Sequence, residues 1–248
     1  MEWKTAISKV SDEESVIRGY DRDELAQKKT FTDAIFLILK GELPSPAERR
    51  LLDAMLVLAI DNSVGAPSAL SARIAASGSG SMVQGVAAGL MAFGEFHGGA
   101  VEPLAKILME NEMKYKHSAA DIVKWHLDNK MRVPGYGHKV FTVDPRTQML
   151  VKMAREEKLK TKFLNMALEI EKELEKQSGK KLPLNVDGCM AALLLDLGFD
   201  WRVSNGVFVI ARTPGLVAQV DEERSREKPF RRLEPGEVKY DGPAKRKV

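Results

Sequence analysis

The sequence predicts an all-helical protein, and three observations lead there. Most segments carry their apolar residues at a helical period. Alternating strand patterns are scarce. Helix start and stop signals fall at the ends of the periodic runs, as with Thr30 before Phe31, Gly41 after Lys40, and Ser45-Pro46.

Taken in order, residues 1–20 read as extended or irregular, with room for a short hairpin around Asp12 and Glu13. Phe31 to Lys40 reads as a helix capped by Thr30 and stopped by Gly41. Ser45-Pro46 opens the next helix, with proline in its first turn and an apolar stripe of Leu51, Leu52, Met55, Leu58 and Ala59. From Ala66 to Gly94 alanine, glycine and serine dominate. Apolar residues continue through this stretch, so it reads as closely packed small-residue helices, suited to a subunit interface, and not as a linker. Further helices are expected over Val101–Glu110, Ser118–Asn129, Pro145–Glu157, Phe163–Gln177, Val186–Leu197 and Asn205–Glu223. The charges from Ala167 to Lys176 mark a solvated helical face. The last 25 residues, rich in Lys, Arg, Glu and Pro, are expected to be an unfolded or wrapping tail.

Bulk properties narrow the function. The 248 residues fit one large domain or two unequal ones. Thirty-eight basic and 35 acidic residues leave a net charge of +3, too balanced for a nucleic-acid binder but compatible with an anionic ligand. Cys189 is the one cysteine, which excludes an intrachain disulfide and a cysteine-based metal cluster. Neither a signal-length apolar run at the N-terminus nor a membrane span is visible, so a cytoplasmic protein without membrane partners is expected.

Three segments place titratable side chains among glycines: Phe96-His97-Gly98-Gly99-Ala100, Pro134-Gly135-Tyr136-Gly137-His138-Lys139-Val140 with Asp144-Pro145-Arg146 following, and Asn185-Val186-Asp187-Gly188. Glycine lets backbone approach a ligand at a cost in chain entropy. Two histidines and a carboxylate suit acid–base chemistry. Singly, each has an ordinary explanation: His97 as a helix cap, His138 as a turn residue, Asp187 as the N-cap of the helix that follows. Their combination, in this order, changes the odds.

In that order the segments resemble the His-Gly-Gly-Ala, Gly-x-Gly-His and Asn-Val-Asp motifs of citrate synthases and citryl-CoA lyases. Ile17-Arg18-Gly19-Tyr20, Gly41-Glu42-Leu43-Pro44 and Ala211-Arg212-Thr213-Pro214-Gly215 extend the resemblance over nearly the whole chain. It implies a citrate synthase-like all-α fold, with a small domain over 97–197, a large one over 1–96 and 198–248, and the site in the cleft. It also implies roles. His97 would steady the acetyl-CoA enolate, Asp187 would move the proton at the acetyl methyl carbon, and His138 would exchange a proton with the oxygen at the bond made or broken. Arg146 and Arg212 would grip carboxylates through their planar forks. Pro134, Gly135, Tyr136 and Gly137 would lie against CoA. Lys228 aligns with a family arginine that reaches the neighbouring subunit's site, which implies at least a homodimer. The substrate or product would be a coenzyme A thioester, with no metal and no covalent cofactor.

Two departures from the family pattern matter. Asp61-Asn62 stands where the family usually has Asp-His, whose histidine contacts oxaloacetate. Asn62 donates a hydrogen bond without charge, and is either a substrate contact or a structural cap on the helix before it. Only Ser45 to Ile60 fills a gap that holds many helices in a full citrate synthase. The short connection, the Asn-Val-Asp-Gly form, the Ala167–Lys172 run and the Asn205–Val209 run resemble citryl-CoA lyase, including the lyase module of ATP-citrate lyase. The resemblance therefore implies cleavage of citryl-CoA, with a separate citryl-CoA-forming ligase as partner. A small synthase joining an acyl-CoA to a 2-oxo acid is the alternative. A non-catalytic CoA- or acid-binding regulatory paralogue is the alternative of another class.

Overall fold

The computed structural model describes residues 2–138 and 141–247. Eleven α-helices among them carry the fold, and the only sheet is a small one at the N-terminus. There β1 (Ser8–Val10) pairs with β2 (Ser15–Ile17), with Ser8 opposite Ile17, so the hairpin around Asp12 and Glu13 forms. β3 (Tyr20–Asp21) adds to β2 through a turn in which Arg18 and Gly19 both take positive φ. Helix α1 (Arg22–Lys28) follows at once, with Asp21 capping the Glu24 N–H.

The next helices begin and end where their capping chemistry dictates. α2 (Phe31–Lys40) and α3 (Pro46–Ala59) open on capping boxes, Thr30 with Asp33 and Ser45 with Glu48. Gly41 closes α2 in the left-handed region, φ 95°. Of the α3 stripe, Leu51, Leu52, Met55 and Ala59 are buried, while Leu58 packs at the margin.

The chain divides into two compact units. The first comprises residues up to Asp61 and Phe93–Pro214. Its centre is α10 (Val186–Asp196), apolar on every side and buried almost throughout. α6 (Val101–Glu110), α8 (Pro145–Glu156) and α9 (Lys162–Ser178) pack on it, and α7 (Ala119–Asp128) packs on α9. A π-helical turn, Asn111–Tyr115, extends α6. The expected 97–197 domain lies wholly inside this unit, because residues 198–214 are bound to it. Asn205 Oδ1 accepts the Glu102 N–H at 3.0 Å, Lys106 Nζ lies 5.4 Å over the Trp201 ring, and Phe93 meets Phe208 edge-on at 5.6 Å.

The second unit comprises Asn62–Ala92 and the chain from Gly215. The small-residue stretch forms α4 (Pro67–Ser79) and α5 (Met82–Met91), with Gly80 as a left-handed stop between them. These two helices pack closely on one another. A Cβ at Gly89 would stand 2.9 Å from the Ser68 carbonyl and 3.0 Å from the Ala72 methyl. Leu216 and Val220, from the long helix α11 (Ser204–Arg226), complete this small core. Beyond α11 the tail is exposed and largely irregular, with one 3-10 turn at Pro235–Glu237. It is tied down at Arg231, whose guanidinium donates to the buried Glu223 carboxylate at 2.8 and 3.0 Å. Arg73 Nε donates to the same carboxylate at 2.8 Å.

Candidate active site

The loop that presents His97 depends on its glycines. Gly94 and His97 exchange both backbone hydrogen bonds, each at 2.9 Å, which turns the chain sharply. Gly98 has φ +67°, and a Cβ there would meet Phe93 at 2.6 Å and Phe208 at 2.9 Å. At Gly99 a Cβ would fall 2.3 Å from the Gly94 carbonyl. The His97 ring stacks on Phe93 with centroids 5.2 Å apart. Burial, and then the Arg212 charge, lower its pKa, so the neutral imidazole is favoured.

Asp187 is not the cap of its helix. Asn185 takes that place, its Oδ1 accepting the Gly188 N–H at 3.0 Å. The same amide donates from Nδ2 to the Gly137 carbonyl at 3.0 Å. Asp187 is left as a half-buried carboxyl in the first turn of α10. Burial pushes its pKa up from the ordinary carboxylate range, with Asp144 adding to the rise and Arg146 and Arg212 opposing it.

The segment Pro134–Gly137 runs against Pro183–Gly188. Asn185 N–H donates to the Gly135 carbonyl at 3.0 Å, and Gly137 N–H to the Pro183 carbonyl at 2.8 Å. A Cβ on Gly135 would lie 2.6 Å from Gly188 Cα, so the two backbones touch. The Tyr136 hydroxyl points inward and donates to the Ala167 carbonyl at 2.7 Å. This side chain anchors the loop. Lys139 and Val140, which complete the sequence segment, lie outside the described residues.

Asp144 joins α8 to α10, a role the sequence reading did not give it. It is fully buried and caps α8. Its Oδ1 accepts from the Arg146 N–H and Nε, both at 3.0 Å. Its Oδ2 accepts from Arg146 Nη2 at 2.8 Å and from the Val186 N–H of α10 at 3.0 Å. Burial works against its charge, but the bonds and charge of Arg146 and the two backbone N–H groups outweigh it and hold its pKa low. The signal was present in Asp144-Pro145, an acidic N-cap before a proline in the first turn.

Arg146 Nη2 lies 3.4 Å from His138 Nε2, while His138 Nδ1 accepts the Phe141 N–H at 3.1 Å. A neutral imidazole accepts at only one nitrogen, so these two approaches are alternatives set by the tautomer. Arg212 is buried, donates from Nε to the Ala59 carbonyl at 2.7 Å, and stands 5.2 Å over the Phe208 ring. His97, Asp187, Arg146 and Arg212 feel one another's charge, and His138 touches Arg146. The first unit thus assembles two guanidinium groups, two imidazoles and a carboxyl of raised pKa. A cavity of about 500 Å³ runs past Gly94, Gly98, Gly99 and Pro134.

Asn62 and Lys228 belong to the second unit, and both are exposed. α3 ends at Ala59 with Ile60 as its capping residue, so Asn62 does not cap that helix. Among the described residues no group of three or more His, Cys, Asp or Glu side chains is placed to hold a metal ion. No helix among them is long and apolar enough to cross a membrane.

Comparison with known proteins identifies the family. Residues 44–233 match the family model described as "Citrate synthase, C-terminal domain". Citrate synthase 2 of Bacillus subtilis is 30% identical over 93% of this chain and 61% of its own length. A probable ATP-citrate synthase of Dictyostelium discoideum is 27% identical over 84% of this chain and 36% of its own. The chain therefore spans less than two thirds of these relatives. Among solved structures, citryl-CoA lyase from Hydrogenobacter thermophilus superposes with a TM-score of 0.94 at 45% identity, covering 99% of this chain and 97% of that one. ATP citrate lyase from Methanothrix soehngenii, in complex with citrate and coenzyme A, gives 0.86 at 25% identity, covering 98% of this chain and 42% of that one.

Proposed function

The chain belongs to the citrate synthase family, and from that premise we propose that it is a citryl-CoA lyase, cleaving citryl-CoA to acetyl-CoA and oxaloacetate. One observation carries the choice within the family. The similarity to the Hydrogenobacter thermophilus citryl-CoA lyase spans both chains almost end to end, whereas the citrate synthase from Bacillus subtilis is matched over 61% of its length.

In the proposed cleavage His138 takes the proton of the citryl hydroxyl, and the hydroxyl carbon becomes the ketone of oxaloacetate. The carbon–carbon bond breaks toward the thioester, which leaves the enolate of acetyl-CoA. His97, neutral at its lowered pKa, donates a hydrogen bond to the enolate oxygen. Asp187, with a raised pKa that favours its acid form, protonates the enolate carbon to a methyl group. Arg146 and Arg212 hold the carboxylates of the oxaloacetate half. The backbone of Pro134–Gly137 lies against CoA. No metal ion or covalently bound cofactor enters any step.

The reverse condensation uses the same groups, and the citrate synthase names of the curated relatives favour it as the second reading. Incubation of the protein with citryl-CoA, and separately with acetyl-CoA plus oxaloacetate, tests both. Acetyl-CoA and oxaloacetate appearing from citryl-CoA is the expected result. Free CoA released only from the second mixture would overturn the lyase assignment in favour of a synthase, and turnover in neither would favour a regulatory paralogue.

The proposed assembly is a homodimer or a higher homo-oligomer. Leu70 and Ile74 on α4 and Val83 on α5 are exposed apolar residues on the small-residue helices, suited to a second copy. The tail would carry Lys228 to the neighbouring site. A monomer in sedimentation at micromolar concentration would refute this. A citryl-CoA-forming ligase is the proposed partner, by analogy with the ATP citrate lyase that this chain resembles. A cytoplasmic location fits such small-molecule chemistry.

A further inference from the structure

A charge cluster in the second unit holds the tail, and the proposed chemistry makes no direct use of it. Glu223 of α11 is only 1% exposed, yet its carboxylate accepts three bonds from two guanidinium groups. Arg73 of α4 supplies one, from Nε to Oε2 at 2.8 Å. Arg231 of the tail supplies the other two, from Nε to Oε1 at 2.8 Å and from Nη2 to Oε2 at 3.0 Å. A buried carboxylate needs a cationic partner, and Arg73 meets that need between the two helices. The second guanidinium does something else, which is to fasten the tail.

The fastening closes a loop. The Arg231 backbone N–H donates to Ser77 Oγ of α4 at 3.2 Å, and Arg231 Nη2 pairs with the Glu227 carboxylate at 3.2 Å. Glu227 continues the helical bonding of α11, its N–H donating to the Glu223 carbonyl at 3.1 Å. Lys228, Pro229 and Phe230 are therefore a three-residue loop whose two ends are joined to one another and to α11. All three residues are exposed. Pro229 narrows the loop further, because its ring fixes φ. Among the described residues Lys228 forms no ion pair, whereas Arg226, Arg231 and Arg232 around it do. A free tail would have to order its backbone each time this ammonium met a ligand, at a cost in affinity. A loop closed in advance avoids that cost.

We infer that Glu223 and Arg231 are positioning residues, whose clasp closes the Lys228–Phe230 loop and presents the Lys228 ammonium to a substrate carboxylate. This rests on the proposed place of Lys228 at the neighbouring subunit's site. Neither Glu223 nor Arg231 would touch substrate. Arg231 would act through Lys228.

A double-mutant cycle tests it, with citryl-CoA cleavage kinetics and oxaloacetate calorimetry on the parent protein, Lys228→Met, Arg231→Met and the double variant. Each single variant should raise KM and weaken oxaloacetate by about tenfold, with kcat changed far less. The double variant should be no worse than Lys228→Met alone, since a residue that acts only through another has no effect once that other is gone. Arg73 keeps Glu223 paired in all of these proteins. Should Arg231→Met nonetheless fail to fold, Arg231→Lys carries the same cycle: it keeps the charge without the fork, so its KM should fall between those of the parent and Lys228→Met. Losses that multiply in the double variant would overturn this inference alone. So would a parent-like KM in the Arg231 variants beside a raised KM in Lys228→Met. A parent-like KM in Lys228→Met would overturn the proposed place of Lys228, and a parent protein that binds neither citryl-CoA nor oxaloacetate would overturn the proposed function. Either result takes this inference with it.

Discussion

Asp144 Oδ2 accepts the Val186 N–H at 3.0 Å, so the carboxylate that caps α8 also holds the first residue of α10. One buried charge thereby fixes Arg146 on one helix relative to Asp187 on the other. Asp144→Asn would turn an amide N–H₂ toward donors it cannot satisfy. A buried donor left unpaired typically costs about 1–3 kcal/mol, and that is the expected loss of stability in urea. Arg146 would also lose its orientation. KM for citryl-CoA should rise well beyond the change in CoA affinity. Equal changes in the two would mean that Asp144 supports the fold alone.

Gly188 offers a test in which propensity and packing pull in opposite directions. It sits inside α10, where alanine is favoured over glycine by about 1 kcal/mol. A Cβ there, however, would stand 2.4 Å from the Gly135 carbonyl oxygen and 2.7 Å from Leu184 Cδ1. The oxygen belongs to backbone and cannot swing away. Gly188→Ala should therefore destabilise, by roughly 1–3 kcal/mol as for overpacked sites, and loosen the Pro134–Gly137 segment. A rise in melting temperature would show that the two backbones have room to part.

Much of this was legible in the sequence because it is local. Capping boxes mark the starts of α2 and α3, the left-handed Gly41 marks the end of α2, and the apolar period places α6. The small-residue stretch was readable as closely packed helices for the same reason, since Gly85 and Gly89 have no side chain to keep α4 and α5 apart. What escaped was set by tertiary contact. α1 is a short helix with a single buried residue, Leu25, too brief to show a period. Asp187 looked like a cap until Asn185 took the place, and that choice depends on Gly137, 48 residues away.

Asp196 makes stability depend on pH. It caps α9 from the end of α10, accepting the Phe163 and Leu164 N–H groups at 2.9 and 3.0 Å. Burial pushes its pKa from the ordinary 3.8 to about 6, against the pull of those N–H groups and Lys162. Between about pH 4 and pH 6 the folded carboxyl holds a proton that the unfolded one has lost. Its contribution is therefore largest below pH 4 and is lost as pH rises through 6. Urea unfolding of the parent protein minus that of Asp196→Asn should decline across this window and level off above it. A flat difference would mean that Asp196 titrates like a surface carboxyl.

Asp187→Asn keeps the shape of the side chain and removes the proton. The proposed proton transfer at carbon should stop, with a loss of roughly 10²–10⁴-fold in turnover and CoA affinity largely intact. The raised pKa adds a sign for the cleavage direction, which needs the acid form. Its rate should fall as pH rises through the Asp187 pKa, and that limb should be absent from the residual rate of the variant. Near-parent turnover by Asp187→Asn would return Asp187 to a structural role.

Asn62 is a proposed substrate contact that departs from the pattern of a full synthase. It stands where the family resemblance places an oxaloacetate-contacting histidine, and it is exposed in the segment between α3 and α4. An asparagine offers a neutral donor, whereas a histidine near carboxylates can carry charge. Charge-assisted bonds are roughly twice as strong as neutral ones. If Asn62 is a substrate contact, Asn62→His should tighten oxaloacetate binding by about 1–2 kcal/mol, or about tenfold, in calorimetry. Its end-of-helix alternative is already weakened, since Ile60 closes α3 two residues earlier. Melting temperature should accordingly stay level while affinity rises. An unchanged or weaker affinity would mean that the proposed pocket is shaped for a different acid, and the search for the substrate would then move from oxaloacetate to other 2-oxo acids.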